Sequence, residues 1–175
     1  MRKLSNDELL RKTPEQFKEA FKTPLILVLD NVRSLNNVGS VFRTADSFLL
    51  ESVYLCGITG TPPNKDIQKT ALGATETVIW EHKDSITELV HELKSQGIKV
   101  ASIEQAEKTT FLQDIHTLDY EKIALVFGNE VDGVDQEVID ASDFIIEIPQ
   151  FGTKHSLNVS VCAGVILWEF AKRYV

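Results

Sequence analysis

Three short stretches of this 175-residue chain concentrate side chains able to do chemistry. They are Asn37-x-Gly39-xxx-Arg43-Thr44, Gly128-Asn129-Glu130-xx-Gly133 and Pro149-xx-Gly152-xxx-Ser156-Leu157-Asn158-Val159-Ser160. The second and third directly follow apolar runs that read as buried strands, and the first follows another after a short polar loop. Arg43 brings a planar guanidinium suited to a phosphate or a developing oxyanion. Glu130 brings a carboxylate, and Asn37, Asn158 and the serines bring neutral hydrogen-bonding groups. The third stretch sets out a strand over 144–148, a stop at Pro149, which lacks a ladder donor, and a glycine-containing loop. Ser156 is the expected N-cap of the helix that follows, whose first amides have no intrahelical partners. Such a corner is either a plain structural connection or a cradle for a polar ligand. Ser156, Asn158 and Ser160 favour the cradle, because burying them unpartnered would cost about 1–3 kcal/mol each.

The elements that must position these groups follow from patterning. Apolar runs predict strands over 25–29, 52–56, 78–80, 98–103 and 122–127 in addition to 144–148. Val41, Ala45, Phe48 and Leu49 form one face of a helix, with Gly39, Ser40, Arg43 and Ser47 on another. Helical side chains lean toward the N-terminus, so Arg43 is expected to reach back over Gly39 and Ser40 toward an Asn36–Asn37 loop. Shorter helices are predicted up to Ala71 and over 134–141. A longer one opens at Ser85, carries Ile86, Leu89, Val90 and Leu93 on one face, and stops at Gly97. Residues 109–118 read as an irregular connection. Strands alternating with helices predict an α/β fold with a largely parallel sheet flanked by helices, whose ligands bind at the carboxyl ends of the strands. Two domain-level units are expected: a helical arm over 1–24 and one domain over 25–175. The arm carries capping boxes at Ser5-x-x-Glu8 and Thr13-Pro14-Glu15-Gln16 and an apolar stripe of Phe17, Ala20 and Phe21.

Composition narrows the function classes. The net charge of −8 is unevenly spread: residues 1–43 hold eight Lys/Arg against five acids, and the other 132 hold ten against 21. A weakly basic arm on an acidic body can position phosphates locally, or it can be no more than a set of solvated faces. Cys56 and Cys162 show no CxxC spacing, the N-terminus shows no apolar run after its basic residues, and the greasy stretch over 159–170 is too short for a bilayer. A cytoplasmic protein without a membrane partner is therefore expected. No GxGxxG opens a helix, and Val134-Asp135 stand where a phosphate loop needs Lys-Ser/Thr. The four histidines are scattered, with no HExxH or Cys/His cluster, so no metal is expected, and His155 reads as a loop histidine.

Taken together, in this order and at these separations, the three stretches resemble the signature motifs of the SpoU-type RNA ribose 2′-O-methyltransferases of the SPOUT superfamily. The resemblance covers residues 25–170. One departure is visible: the family often carries Asp-Pro just before the Asn of its first motif, where Ser34 and Leu35 stand here. The resemblance implies a C-terminal trefoil knot, against the general avoidance of threaded chains. It implies S-adenosylmethionine as cofactor, held by backbone at Gly128, Ile148 and Leu157, with Ser102 at its strand end a further candidate. It assigns catalytic roles to Arg43, Asn37, Glu130, Ser156 and Asn158, with Arg43 reaching the active site of the partner subunit in a homodimer. The apolar helix after Ser156 suits that interface. The implied substrate is structured RNA, with tRNA favoured over rRNA because no separate RNA-binding domain is apparent. Two rival readings remain at this level: a cofactor-free RNA-binding module of the same fold, and another nucleotide-binding α/β enzyme.

Overall fold

A computed structural model describes residues 1–5 and 7–174. Seven strands form one parallel sheet: β1 (Thr23–Asp30), β2 (Leu50–Cys56), β3 (Trp80–Lys83), β4 (Lys99–Ile103), β5 (Thr110–Phe111), β6 (Ile123–Phe127) and β7 (Phe144–Glu147), in the order β3-β2-β1-β6-β4-β7-β5. The central strands are apolar on both faces because both faces are covered. Leu25, Leu27 and Leu29 of β1 point into one core layer, and Ile26 and Val28 point into the other.

The larger layer is built by α1 (Pro14–Glu19), α2 (Leu35–Ser47), α3 (Lys65–Ala71), α4 (Ala74–Thr77) and α7 (Val159–Ala171). The opposite layer is built by α5 (Ile86–Ser95) and α6 (Gln136–Ala141). Crossovers concentrate in the C-terminal third: β6 enters between β1 and β4, and β7 enters between β4 and β5. These interleaved returns are where the resemblance places the knot. Because all strands are parallel, every strand's carboxyl end lies along one edge of the sheet, which gathers the three polar stretches there.

Several local expectations are corrected. The third strand begins at Trp80 rather than 78 and lies at the sheet edge, where one paired side gives little patterning. Within 109–118 the chain forms β5 and a 3-10 helix, Leu112–Thr117, both too short to leave a periodic signal. The Thr13–Gln16 capping box is present, but α1 ends at Glu19, so Phe17 is buried while Phe21 lies beyond the helix, 94% exposed. Ser5 does engage Glu8, over a 3-10 turn. Gly39 does not share an exposed face with Arg43: it is buried where α3 crosses α2, and a Cβ there would lie 2.2 Å from the Ile67 carbonyl oxygen and 2.1 Å from Thr70 Oγ1.

Replacing Gly39 by alanine adds helix propensity worth about 1 kcal/mol but forces α3 outward, at a cost of about 1–3 kcal/mol. The expected outcome for Gly39→Ala is a lower Tm, by roughly 2–4 °C per kcal/mol of net loss, measured by thermal unfolding.

Candidate active site

The first stretch is set by Ser34, whose hydroxyl accepts from the Asn37 amide at 3.3 Å and caps α2. Asn36 and Asn37 therefore lie in the first turn of α2 and not in a loop. In the second stretch Asn129 Oδ1 accepts from the amides of Val131 and Asp132, each at 2.9 Å, and folds residues 129–133 into a tight turn. The third stretch departs from expectation. The helix starts at Val159 with Asn158 as its N-cap, not Ser156; Asn158 Oδ1 accepts from the amides of Ser160 and Val161 at 3.0 and 3.4 Å. Ser156 and Asn158 are exposed, so the desolvation cost that would demand a polar partner does not arise for them in the free protein.

A chain of side chains joins the three stretches. Asn158 Nδ2 donates to Asn37 Oδ1 at 3.2 Å, and Asn37 Nδ2 donates to Glu130 Oε1 at 3.0 Å. The residues so joined lie 121 and 93 positions apart in sequence. Beside this relay, at the carboxyl ends of β4, β6 and β7, opens a cleft of about 630 Å³. Six of the residues singled out from sequence line it: Gly128, Glu130, Ile148, Ser156, Leu157 and Asn158. Four carboxylates, Glu104, Glu130, Asp132 and Glu147, also line the cleft, and no Lys or Arg does so among the described residues. His155 lines it as well.

Two of the expected residues stand apart. Ser102 is fully buried and faces the α5–α6 layer, where its hydroxyl pairs with that of Ser142 at 2.8 Å; strand alternation carries its side chain away from the cleft. Arg43 is exposed, makes no side-chain hydrogen bond or ion pair among the described residues, and does not line the cleft. Six residues of helix turn a side chain through 600°, so Arg43 and Asn37 point about 120° apart on α2. That is why Asn37 meets Glu130 and Arg43 does not.

Sequence reasoning missed Glu104 and Gln105, the first polar residues after β4, although the same strand-end signal marks them as marks the other three stretches. Nucleophilic cysteine chemistry is disfavoured. Burial pushes the Cys162 thiol, which lines the cleft, up to about 11 and that of Cys56 up to about 12, so both stay protonated at neutral pH. The described residues hold no group of three His, Cys, Asp or Glu that could bind a metal ion.

The SpoU rRNA methylase family matches residues 24–168. This chain belongs to that family. Among its relatives is the 23S rRNA (guanosine-2′-O-)-methyltransferase RlmB of Neisseria meningitidis serogroup B, 32% identical over 152 residues, which are 87% of this chain and 60% of that protein. The chain thus spans about 60% of the length of the curated relatives it matches. The solved TrmH/SpoU tRNA modifying enzyme of A. aeolicus superposes with a TM-score of 0.79 at 29% identity, over 91% of this chain and 79% of that one. A chain solved in work on 2-OH methylation of C/U34 on tRNA gives 0.74 at 26% identity, over 87% of this chain and 98% of that one. The α/β fold expected from sequence is thus the fold of solved SpoU-family proteins.

Asn158 has two separable tasks in this SpoU-family site, capping α7 and donating to Asn37. Asn158→Ala removes both and is expected to lower stability by about 0.5–2 kcal/mol. Asn158→Asp keeps the capping acceptor beside the positive helix end but cannot donate, so it is expected to unfold within about 0.5 kcal/mol of wild type. Urea denaturation distinguishes the two.

Proposed function

We propose that this chain is an S-adenosylmethionine-dependent methyltransferase acting in the cytoplasm on a ribose 2′-hydroxyl of structured RNA, with tRNA favoured. The observation that carries this reading is the Asn158–Asn37–Glu130 relay, which ties the three family motifs together at the mouth of one cleft. The tRNA preference draws support from the 98% coverage of the solved chain concerned with tRNA 2-OH methylation and from the A. aeolicus tRNA modifying enzyme. Two free thiols, and the absence among the described residues of any helix long and apolar enough to cross a membrane, accord with the location.

The cleft fits the cofactor by size and by charge. Its volume of about 630 Å³ lies in the range of small-molecule sites, and its wall of carboxylates without Lys or Arg suits a ligand bearing a sulfonium and an ammonium. Main-chain groups at Gly128, Ile148 and Leu157 would hold it, whereas Ser102 does not line the cleft. When bound, the cofactor supplies an electrophilic methyl group. The protein's share is to place the ribose hydroxyl and ease loss of its proton. Glu130 and Asn158, held through Asn37, present a carboxylate and an amide at the cleft mouth for the ribose, and Ser156 adds a hydroxyl there. Arg43 binds phosphate or stabilises the developing alkoxide through its planar, donor-only guanidinium, with the phosphate itself or water taking the proton.

Arg43 does not line the cleft of its own chain, which supports the reading that it serves the cleft of a second copy. The face of α7 that would join the copies is on hand: Val161, Val165 and Trp168 are 53%, 40% and 52% exposed while Ala163, Ile166, Leu167 and Phe170 are buried on the other side. A helix apolar all round needs a partner on its outer face. Trp168 also packs on Phe48, just beyond α2, with ring centroids 6.0 Å apart, which ties this face to the helix that carries Arg43.

The first test is mass-spectrometric mapping of ribose methylation in RNA from cells with and without the protein; an unchanged map sinks the proposal. Arg43→Ala is expected to keep cofactor affinity within about twofold and to lower methyl transfer by about 10²–10³ in single turnover, since a group acting in the transition state changes rate more than ground-state binding. Mixing Arg43→Ala with a cofactor-dead Gly128 variant should restore activity, because one of the two sites in each heterodimer is intact. Failed complementation between folded, exchanging variants would place the whole site within one chain. Val165→Arg is expected to yield inactive monomers by analytical ultracentrifugation, and a fully active monomer would remove the shared site.

A further inference from the structure

We infer that Glu104 and Gln105, the two residues that follow β4, act as a clasp holding both walls of the cofactor cleft at a fixed separation. The inference rests on the methyltransferase reading only in naming the ligand; the clasp itself is a matter of hydrogen bonds. Glu104 Oε2 accepts from the Val134 amide at 3.1 Å, while its Oε1 accepts from the Gln105 amide at 2.8 Å. The first bond anchors the far end of the 128–134 turn, and the second fixes the carboxylate's own orientation. Gln105 Nε2 then donates to the His155 carbonyl at 2.9 Å and anchors the 149–158 loop. Two consecutive residues just beyond an interior strand thus reach the two segments that carry Gly128 on one side and Ile148, Ser156 and Leu157 on the other.

The sequence of the 128–133 turn is shaped around this contact. A Cβ at position 133 would lie 2.2 Å from Glu104 Oε2, and Gly133 adopts φ +71. The left-handed backbone favours glycine there, and the missing Cβ leaves the carboxylate room to approach. Without the clasp, the 149–158 loop has little to hold it: Gly152 has open space where a Cβ would stand, Phe151 is 97% exposed, and residues 151–157 are exposed throughout. A loop that must be ordered at the moment of binding lowers affinity, and one ordered beforehand does not. Glu104 and Gln105 are therefore positioning residues, acting on the ligand through the loops that touch it.

Hydrogen–deuterium exchange of the free protein and calorimetry with S-adenosylmethionine and S-adenosylhomocysteine test this in Glu104→Ala, Glu104→Gln and Gln105→Ala. Glu104→Ala should speed exchange at Val134 and weaken both ligands, by about tenfold or more, the effect of losing a hydrogen bond to a charged acceptor. Glu104→Gln should rescue part of that loss, since its amide oxygen still accepts one bond. Gln105→Ala should speed exchange within 150–157 and leave Val134 protected. At saturating cofactor the single-turnover rate should match wild type, so the effect falls on KM and not on kcat. Variants that exchange and bind like wild type overturn the clasp and leave the methyltransferase reading intact. A fall in global stability without locally faster exchange also overturns it. Wild-type protein that binds neither ligand overturns the methyltransferase reading, while exchange in the free protein still judges the clasp. If Glu104→Ala fails to fold, Glu104→Gln and Gln105→Ala carry the same comparison.

Discussion

No side chain fits at position 128. A Cβ there would lie 2.0 Å from the Gly133 carbonyl carbon and 2.3 Å from the Val134 amide nitrogen, so the end of β6 and the start of the return toward α6 touch backbone to backbone. This contact folds residues 129–132 outward as a tight turn, with Asn129 supplying the acceptor for its inner amides. Glu130 is thereby carried toward Asn37, and the Val134 amide is turned toward Glu104. One close approach of main chain thus sets both the mouth of the cleft and one of its walls. The same reasoning explains why the stretch has phosphate-loop spacing without phosphate-loop chemistry: its glycines serve the protein's own packing, and the cleft beside them is lined with carboxylates that repel phosphate.

Much of this was legible in the sequence, and for identifiable reasons. The apolar runs of β1 and β6 are unbroken because both sides of the sheet are covered, and Thr13 and Ser85 act as helix caps because their hydroxyls have amides to satisfy. Six of the nine candidate site residues line one cleft and a seventh, Asn37, is bonded to two of them. What failed was information that local patterning does not hold. Ser156 and Asn158 are equally good caps on paper, and Asn158 takes the position because its carbonyl oxygen serves two amides while its amide group reaches Asn37, 121 residues away. Gly39 reads as an exposed helix residue until α3 is seen to cross it. Ser102 sits at a strand end like the other candidates, but alternation turns its side chain into the opposite layer, and Glu104, two residues on, takes its place at the cleft.

Charge divides the molecule along the same lines. The overall excess of acids argues superficially against an RNA partner, yet four of those acids are gathered inside the cleft, where a cationic ligand is wanted and a phosphodiester is not. The cations reach the surface elsewhere: Arg33 just precedes α2 and Arg43 lies along it, and Arg11, Lys12 and Lys18 are exposed on the N-terminal segment. Under the proposed reading the nucleic acid lies outside the cleft on the basic side and offers only a ribose to its mouth. A single net charge hides this separation, because Debye screening at about 8–10 Å lets the two regions act almost independently.

The helix phase of α2 then links assembly to chemistry. Asn37 and Arg43 sit on one helix, but about 120° of rotation parts them, and no rotamer of Arg43 undoes a backbone phase. Under the proposed reading the relay would serve the chain's own cleft and the cation that of a second copy. α7 shows the matching pattern, since its inner face packs on α2 and β1 while Val161, Val165 and Trp168 remain uncovered. Burying that stripe against a second copy would be favourable at about 25 cal/mol per Å² of apolar surface, and it would bring a second α2 close to the first. Under the proposed reading the site would gain its cation only when this helix is covered, so the hydrophobic term favouring association would also complete the site.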